Sequence, residues 1–154
     1  MRINEFIIPL IIQKNVYPPQ KKKIDTKLET QCQLRYSVFP EGDELVVNGK
    51  APAHADPTYL NTPNPMQYDE NGDKNGMRFQ YRIKTVDCDG TVSSDSSGIN
   101  IRDARRVTIL VSAATSFNGF NRSPVGHGKD EKALARDDMK KASQKSIDEL
   151  IGKH

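Results

Sequence analysis

Residues 77–84 read Met-Arg-Phe-Gln-Tyr-Arg-Ile-Lys, with apolar side chains at every second position. Because successive side chains of a strand point to opposite faces, this alternation predicts a β-strand with one apolar face. The other face carries Arg78, Gln80, Arg82 and Lys84, and we expect water to cover it, as it covers one side of many antiparallel sheets. The stretch therefore indicates an antiparallel β fold with a single buried face.

Shorter runs upstream repeat this period of two. Residues 28–39 place apolar side chains at alternate positions, which predicts a half-buried strand. The Glu-Gly-Asp sequence at 41–43 predicts a turn. Residues 45–47 then form a short strand candidate that ends at Asn-Gly, 48–49, a dipeptide typical of tight turns. A hairpin or meander is expected to begin here.

Three more strand candidates lie downstream, at residues 91–93, 99–101 and 107–113. Ser, Gly and Asp residues separate them, as expected for turns. The Asp-Gly dipeptide at 89–90 predicts a type I′ hairpin after the strand at 77–84. The middle of the chain is therefore predicted to be an antiparallel sheet.

Two parts of the chain do not fit strands. Residues 51–76 contain four prolines among Asn and Asp, which predicts a long loop. After Thr115 the pattern changes, and Asp130 is well placed as the N-cap of a helix. Ser146 and Glu149 form a capping box at the start of a second helix. The fold class expected is thus mainly β with one or two C-terminal helices.

Composition and charge exclude several classes of function. The net charge of +3 is spread along the chain, whereas nucleic-acid-binding proteins concentrate basic residues, so we expect no nucleic-acid partner. The apolar run at residues 6–12 is far shorter than the roughly 20 residues of a membrane-spanning helix. It also lacks a small-residue cleavage site, so it is a poor signal peptide. The sequence therefore does not determine the cellular compartment of the protein. We expect no membrane association.

Residues that could perform catalysis or hold a metal are scattered. The chain has no Gly-x-Ser-x-Gly elbow and no Gly-rich phosphate loop. His54, His127 and His154 are isolated from one another, without the close spacing that a metal site on one element needs. Cys32 and Cys88 are expected to be free thiols, although a disulfide between them is the open alternative. We expect no catalytic residue, metal or cofactor in this chain.

Acidic residues do not single out a site either. Residues 69–76 read Asp-Glu-Asn-Gly-Asp-Lys-Asn-Gly, which favours a turn over a calcium loop, because the bidentate Glu at position twelve is missing. Glycoside hydrolysis needs two carboxylates across a sugar-sized gap, and the sequence gives no reason to choose a pair.

Aromatic residues suggest two surfaces. His54, Tyr59, Asn61 and Tyr68 share the Pro-rich loop, where they either bind a sugar or pack on their own sheet, and packing is the more frequent role. Phe117 and Phe120 follow a buried strand, and we expect them to form a hydrophobic plug. The basic face of the strand at 77–84 could bind acidic sugars, though a solvated strand face is the ordinary explanation.

Four stretches together resemble glycoside hydrolase family 95, whose best-known members are α-L-fucosidases. They are Glu-Gly-Asp-Glu-Leu-Val-Val-Asn-Gly-Lys-Ala-Pro-Ala-His at 41–54, Asn-Gly-Met-Arg-Phe-Gln at 75–80, Ala-Ala-Thr-Ser-Phe-Asn-Gly-Phe at 113–120, and Lys-Ser-Ile-Asp-Glu-Leu-Ile-Gly-Lys-His at 145–154. They occur in the family's order and cover roughly residues 28–154. Agreement of several motifs in order is more specific than any one motif.

The resemblance implies an inverting hydrolase with an N-terminal supersandwich-like β-sandwich, a helical linker and a catalytic (α/α)₆ barrel. Residues 1–27 do not resemble the family, residues 28–128 would be an antiparallel β-sandwich portion, and residues 129–154 would lead as a helical linker toward an absent barrel. The family's catalytic residues belong to that barrel, so none is carried onto this chain. The resemblance thus implies a non-catalytic fragment whose partner is the missing barrel domain, from a secreted or periplasmic enzyme.

In such an enzyme the sandwich packs against the barrel and can shape the rim of the substrate site. The resemblance places His54, Tyr59, Phe117 and Asn118 in that role, with a fucosylated glycan as ligand. The alternative function is a stand-alone carbohydrate-binding β-sandwich, in which the Pro-rich loop contacts glycans without cleaving them.

Overall fold

The computed structural model describes residues 23–68 and 76–152. Most of residues 1–27, together with residues 69–75, therefore lie outside the described part, and so do the interpretations that fall on them. The division into segments at 27/28 and 128/129 stays a prediction.

The chain is mainly β, as expected, with two helices at its C-terminal end. The strands are β1 (Ile24–Leu28), β2 (Arg35–Glu41), β3 (Glu44–Lys50), β4 (His54–Ala55), β5 (Met66–Gln67), β6 (Arg78–Cys88), β7 (Thr91–Asp95), β8 (Gly98–Ala104) and β9 (Val107–Thr115). The helices are α1 (Glu131–Ser143) and α2 (Ile147–Ile151), and a 3₁₀ turn covers Thr58–Leu60.

Two antiparallel sheets form a sandwich-like core. One has four strands in the order β2-β3-β6-β9, and the other has three in the order β1-β8-β7. Leu45, Ile83 and Ile109 from the first sheet pack with Ile99 and Ile101 from the second. Burial of these facing apolar side chains drives the packing of the two sheets, whereas the outer face of the four-stranded sheet is covered by α1.

The Asp-Gly dipeptide at 89–90 does not make the hairpin that it predicts. β6 pairs with β3 and β9, whereas β7 pairs with β8, so Asp89 and Gly90 carry the chain from one sheet to the other. The Asp89 carboxylate accepts hydrogen bonds from the backbone N–H groups of Arg105 and Arg106 at 2.7 and 2.9 Å. These two residues lie in the connection from β8 to β9, which leads back to the first sheet. The hydrogen bonds of Asp89 therefore join the two connections between the sheets.

The Asn-Gly dipeptide at 48–49 also departs from its turn preference. β3 continues through it to Lys50, with Asn48 opposite Gln80 and Gly49 opposite Phe79. The Phe79 ring covers Gly49 so closely that a Cβ added there would lie 2.0 Å from the ring Cζ. The turn at 41–43, by contrast, is confirmed as the β2–β3 hairpin, with Gly42 at φ 64°.

The expectation that the basic face of β6 lies in water is wrong for its central residues. Gln80 and Arg82 are buried, at 3% and 2% exposure. The reason is α1, which packs on β6 and β9 and buries Met139 and Ala142 against Leu110. The alternation along β6 is local to the strand and carries no information about the helix that covers this face.

Both helix starts are confirmed. The Asp130 carboxylate accepts hydrogen bonds from the N–H groups of Lys132 and Ala133, both at 3.0 Å. Ser146 and Glu149 exchange the two hydrogen bonds of the capping box that begins α2. Since the first N–H groups of a helix lack partners within it, these side chains determine where each helix begins.

Candidate functional site

One end of the four-stranded sheet carries both loops that the sequence analysis singled out. β3 ends there at Lys50, β6 begins at Arg78, and β9 ends at Thr115. The loop that links β3 to β6 is closed by the hydrogen bond from Ala51 N to Met77 O at 2.9 Å. The segment between β9 and α1 leaves the same end, and its first residue is bound to Arg78 O through Ser116 N at 2.8 Å.

His54 is held in the Pro-rich loop by a carboxylate. β4 and β5 pair within this loop, and the His54 Nε2 atom lies 2.9 Å from Asp56 Oδ1. The Thr62 hydroxyl donates to the other oxygen of Asp56 at 2.9 Å. The hydrogen bonds from His54 and then Thr62 lower the pKa of Asp56. Asp56 therefore stays a carboxylate and orients an imidazole whose remaining surface faces solvent.

Tyr59 stands at the tip of this loop. It lies in the 3₁₀ turn and is 79% exposed, so it does not pack on its own sheet. Asn61 ends the turn in a left-handed conformation, at φ 48°, which Asn tolerates better than most residues. At the base of the loop, the Arg35 guanidinium lies 4.0 Å from the centre of the Tyr68 ring. The loop is thus anchored at its base and presents an aromatic ring at its tip.

The second loop, residues 116–129, is closed on itself. Lys129 N donates to Ser116 O at 3.1 Å, and the fully buried Ser116 accepts from Arg78 N through its hydroxyl at 2.9 Å. Within the loop, the Asn118 side-chain amide donates to His127 O at 2.8 Å. Loops whose ends meet in this way are compact and frequently functional.

The two phenylalanines of this loop do not form the expected plug. Phe117 is 54% exposed and Phe120 is 97% exposed. A plug would require a surface over these rings, and α1 instead packs on the central outer face of the sheet. Both rings are therefore presented to solvent by a loop whose backbone is fixed.

The structure brings the four expected rim residues to one end of the sheet, on two separate loops. His54 and Tyr59 lie on the Pro-rich loop, and Phe117 and Asn118 lie on the second.

Sequence reasoning missed the exposure of Phe120, because an aromatic residue after a buried strand usually packs. It also missed the stacking of Arg35 on Tyr68, for which the sequence carries no signal. Exposed rings beside amide and imidazole groups can stack on and hydrogen-bond a hydroxylated ligand.

No group of three or more His, Cys, Asp or Glu within 23–68 and 76–152 could hold a metal ion. Cys32 and Cys88 are both free. Among the helices of the described part, none has the length and apolar character needed to cross a membrane.

The chain matches the model of a known family. The family described as glycosyl hydrolase family 65, N-terminal domain, matches residues 11–119, which is more than two thirds of the chain. No curated protein matches the chain. The match supports the coarser part of the resemblance, a glycosyl hydrolase N-terminal domain, and it names family 65 rather than family 95. The chain therefore belongs to the glycosyl hydrolase family 65 N-terminal domain family.

Proposed function

We propose that this chain is the non-catalytic N-terminal β-sandwich domain of an α-L-fucosidase-type glycoside hydrolase, which acts on fucosylated glycans through a helical catalytic barrel. The observation that carries the proposal is a pair of anchored loops that present exposed aromatic rings at one end of the sheet. The family match supports it, because the chain belongs to a family of glycosyl hydrolase N-terminal domains. The fucosidase specificity rests on the motif resemblance to family 95.

The loops would meet the barrel and complete the rim of its substrate site. Tyr59 and Phe117 offer ring faces, and His54 and Asn118 offer hydrogen-bonding groups. The two polar side chains are each held by a hydrogen bond within their own loop: Asp56 orients His54, and His127 O fixes the Asn118 amide. Such preorganised contacts favour binding, because little conformational freedom remains to be lost when a ligand or domain docks.

The experiment is an assay of the purified chain with an aryl α-L-fucoside and, in parallel, an aryl α-D-glucoside. We expect no chromophore from either substrate, since the proposal assigns catalysis to the barrel. Release of chromophore in proportion to the amount of this chain would overturn the non-catalytic assignment.

A second candidate is a stand-alone glycan-binding module, and the exposure of Tyr59 favours it. Titration with fucosylated oligosaccharides tests it, with Tyr59→Ala as the variant and Tyr36→Ala, a half-exposed tyrosine of β2, as the matched control. Saturable binding that only Tyr59→Ala weakens supports this candidate. Absence of saturable binding at millimolar ligand, a concentration that detects binding free energies of about −4 kcal/mol, eliminates it.

A further inference from the structure

A cleft of about 350 Å³ opens on the outer face of the four-stranded sheet, between α1 and the β2–β3 hairpin. It lies at the opposite end from the two loops, since Glu44 and Lys84 pair near it, whereas Lys50 and Arg78 pair at the loop end. The cleft is therefore a separate feature from the proposed rim of the substrate site.

The floor of the cleft is rigid and internally balanced. Arg82 binds Glu44 through Nε, Glu41 through Nη2 at 3.0 Å, and Gln80 Oε1 through Nη1 at 3.2 Å. Burial lowers the pKa of Arg82, but the hydrogen bonds to Glu44 and Glu41 outweigh burial and raise it. Because these charges are already paired, the floor can accept a ligand without rearranging.

The α1 wall of the cleft is different, because its two cations are at most weakly paired. Arg136 and Lys140 stand one turn apart on the same face of the helix. Arg136 Nη2 lies 3.8 Å from Glu41 Oε1, its charge also interacts with the Asp130 carboxylate, and its side chain is 59% exposed. Lys140 has no ion pair with any residue of the described part. The mouth of the cleft thus presents one cation without an ion pair and one weakly paired cation to an external anion.

We propose that this cleft binds a sugar that carries a carboxylate, with the carboxylate held between Arg136 and Lys140. Four cationic and two carboxylate side chains line the cleft, so an anionic ligand is favoured over a cationic one. A guanidinium binds a carboxylate with two parallel hydrogen bonds, which a neutral ligand cannot exploit.

The size and the polarity of the cleft indicate a sugar acid rather than a simple anion. Its volume falls in the range of small-molecule pockets, about 300–1,000 Å³, and exceeds what an acetate ion would fill. The Gln144 amide and the Glu44 carboxylate on its walls can donate to and accept from hydroxyl groups. The proposed site is independent of the fucosidase assignment, because it uses none of the rim residues.

The experiment is a titration of the whole chain with glucuronate, with acetate and glucose as separate probes, followed by NMR or calorimetry. We expect saturable glucuronate binding that is at least about tenfold tighter than that of either probe. Lys140→Gln and Arg136→Gln should each weaken it by about fivefold, as expected for a partly exposed ion pair. Lys132→Gln, on the same helix one turn beyond the cleft, should leave the affinity unchanged.

Three results overturn the proposal. They are the absence of saturable glucuronate binding, equal affinity for glucuronate and acetate, and an equal effect of Lys132→Gln and Lys140→Gln. Because the three substituted side chains are exposed, the variants should fold, and a thermal melt of each verifies this.

Discussion

The Arg78 Nε atom lies 3.1 Å from Glu131 Oε1, so the first residue of β6 is tied to the first residue of α1. Glu131 is buried, and the same arginine reaches Pro124 O in the second loop. This ion pair therefore joins the sheet, the helix and the loop that carries Phe117. It adds a polar contact at the first turn of α1 to the apolar packing of Met139 and Ala142 on the sheet.

Glu131→Gln should destabilise the fold. The substitution removes the charge that faces Arg78 at a buried position, and such losses cost about 1–3 kcal/mol. Urea unfolding measures the change. Asp137→Asn, at an exposed position of α1, is the control and should change stability little. Equal stability of the two variants would show that the ion pair does not seat the helix.

Arg82→Met should be more damaging. Its side chain is almost fully buried and binds Glu44 and Glu41, so its removal takes the shortest ion pair from each carboxylate and leaves Glu44 only Lys84, at 3.9 Å. Breaking a buried pair in this way costs about 3–5 kcal/mol. A double-mutant cycle with Glu44→Gln measures the coupling, and additive effects of the two substitutions would contradict the pairing.

Gly49→Ala should lower stability through a clash with one ring. An added Cβ would lie 2.0 Å from Phe79 Cζ, and overpacking of this kind costs about 1–3 kcal/mol. The Phe79→Ala background removes the ring, so there the alanine at position 49 should cost less. A cost that is the same in both backgrounds would mean that the ring does not set the requirement for glycine.

Stability should fall at acid pH partly through Asp89. Its hydrogen bonds from the Arg106 and Arg105 N–H groups lower the pKa of Asp89 in the folded chain. The stabilisation is thus complete above the pKa of an unfolded Asp, about 3.9, and is lost as the pH falls through the lower folded value. Asp89→Asn keeps an acceptor that does not titrate, so its stability should decline less between neutral and acid pH. Parallel pH profiles of the two proteins would argue against this role.

The strands were predictable because their information is local. The alternation at 77–84 and the strand-forming residues at 99–101 and 107–113 predicted strands, and β6, β8 and β9 cover these stretches apart from Met77. The two helix starts were predictable for the same reason, since Asp130 and Ser146 act within their own first turn.

Features that depend on distant residues were not predictable. The burial of Arg82 depends on α1, which lies far along the chain. The requirement for glycine at position 49 depends on the Phe79 ring, which lies beside it in the sheet. The Asp-Gly dipeptide at 89–90 has the same local preference whether the next strand joins its own sheet or the other one. The position of His54, Tyr59, Phe117 and Asn118 at one end of the sheet is likewise a consequence of strand order.

The most direct measurement is the activity of a chimera in which this chain replaces the N-terminal domain of a family 95 α-L-fucosidase. We predict that the chimera hydrolyses an aryl α-L-fucoside well above the level of the isolated barrel, and that Tyr59→Ala and His54→Ala reduce this activity without lowering Tm. A chimera no more active than the isolated barrel, when the barrel regains activity with its own N-terminal domain, would contradict the account.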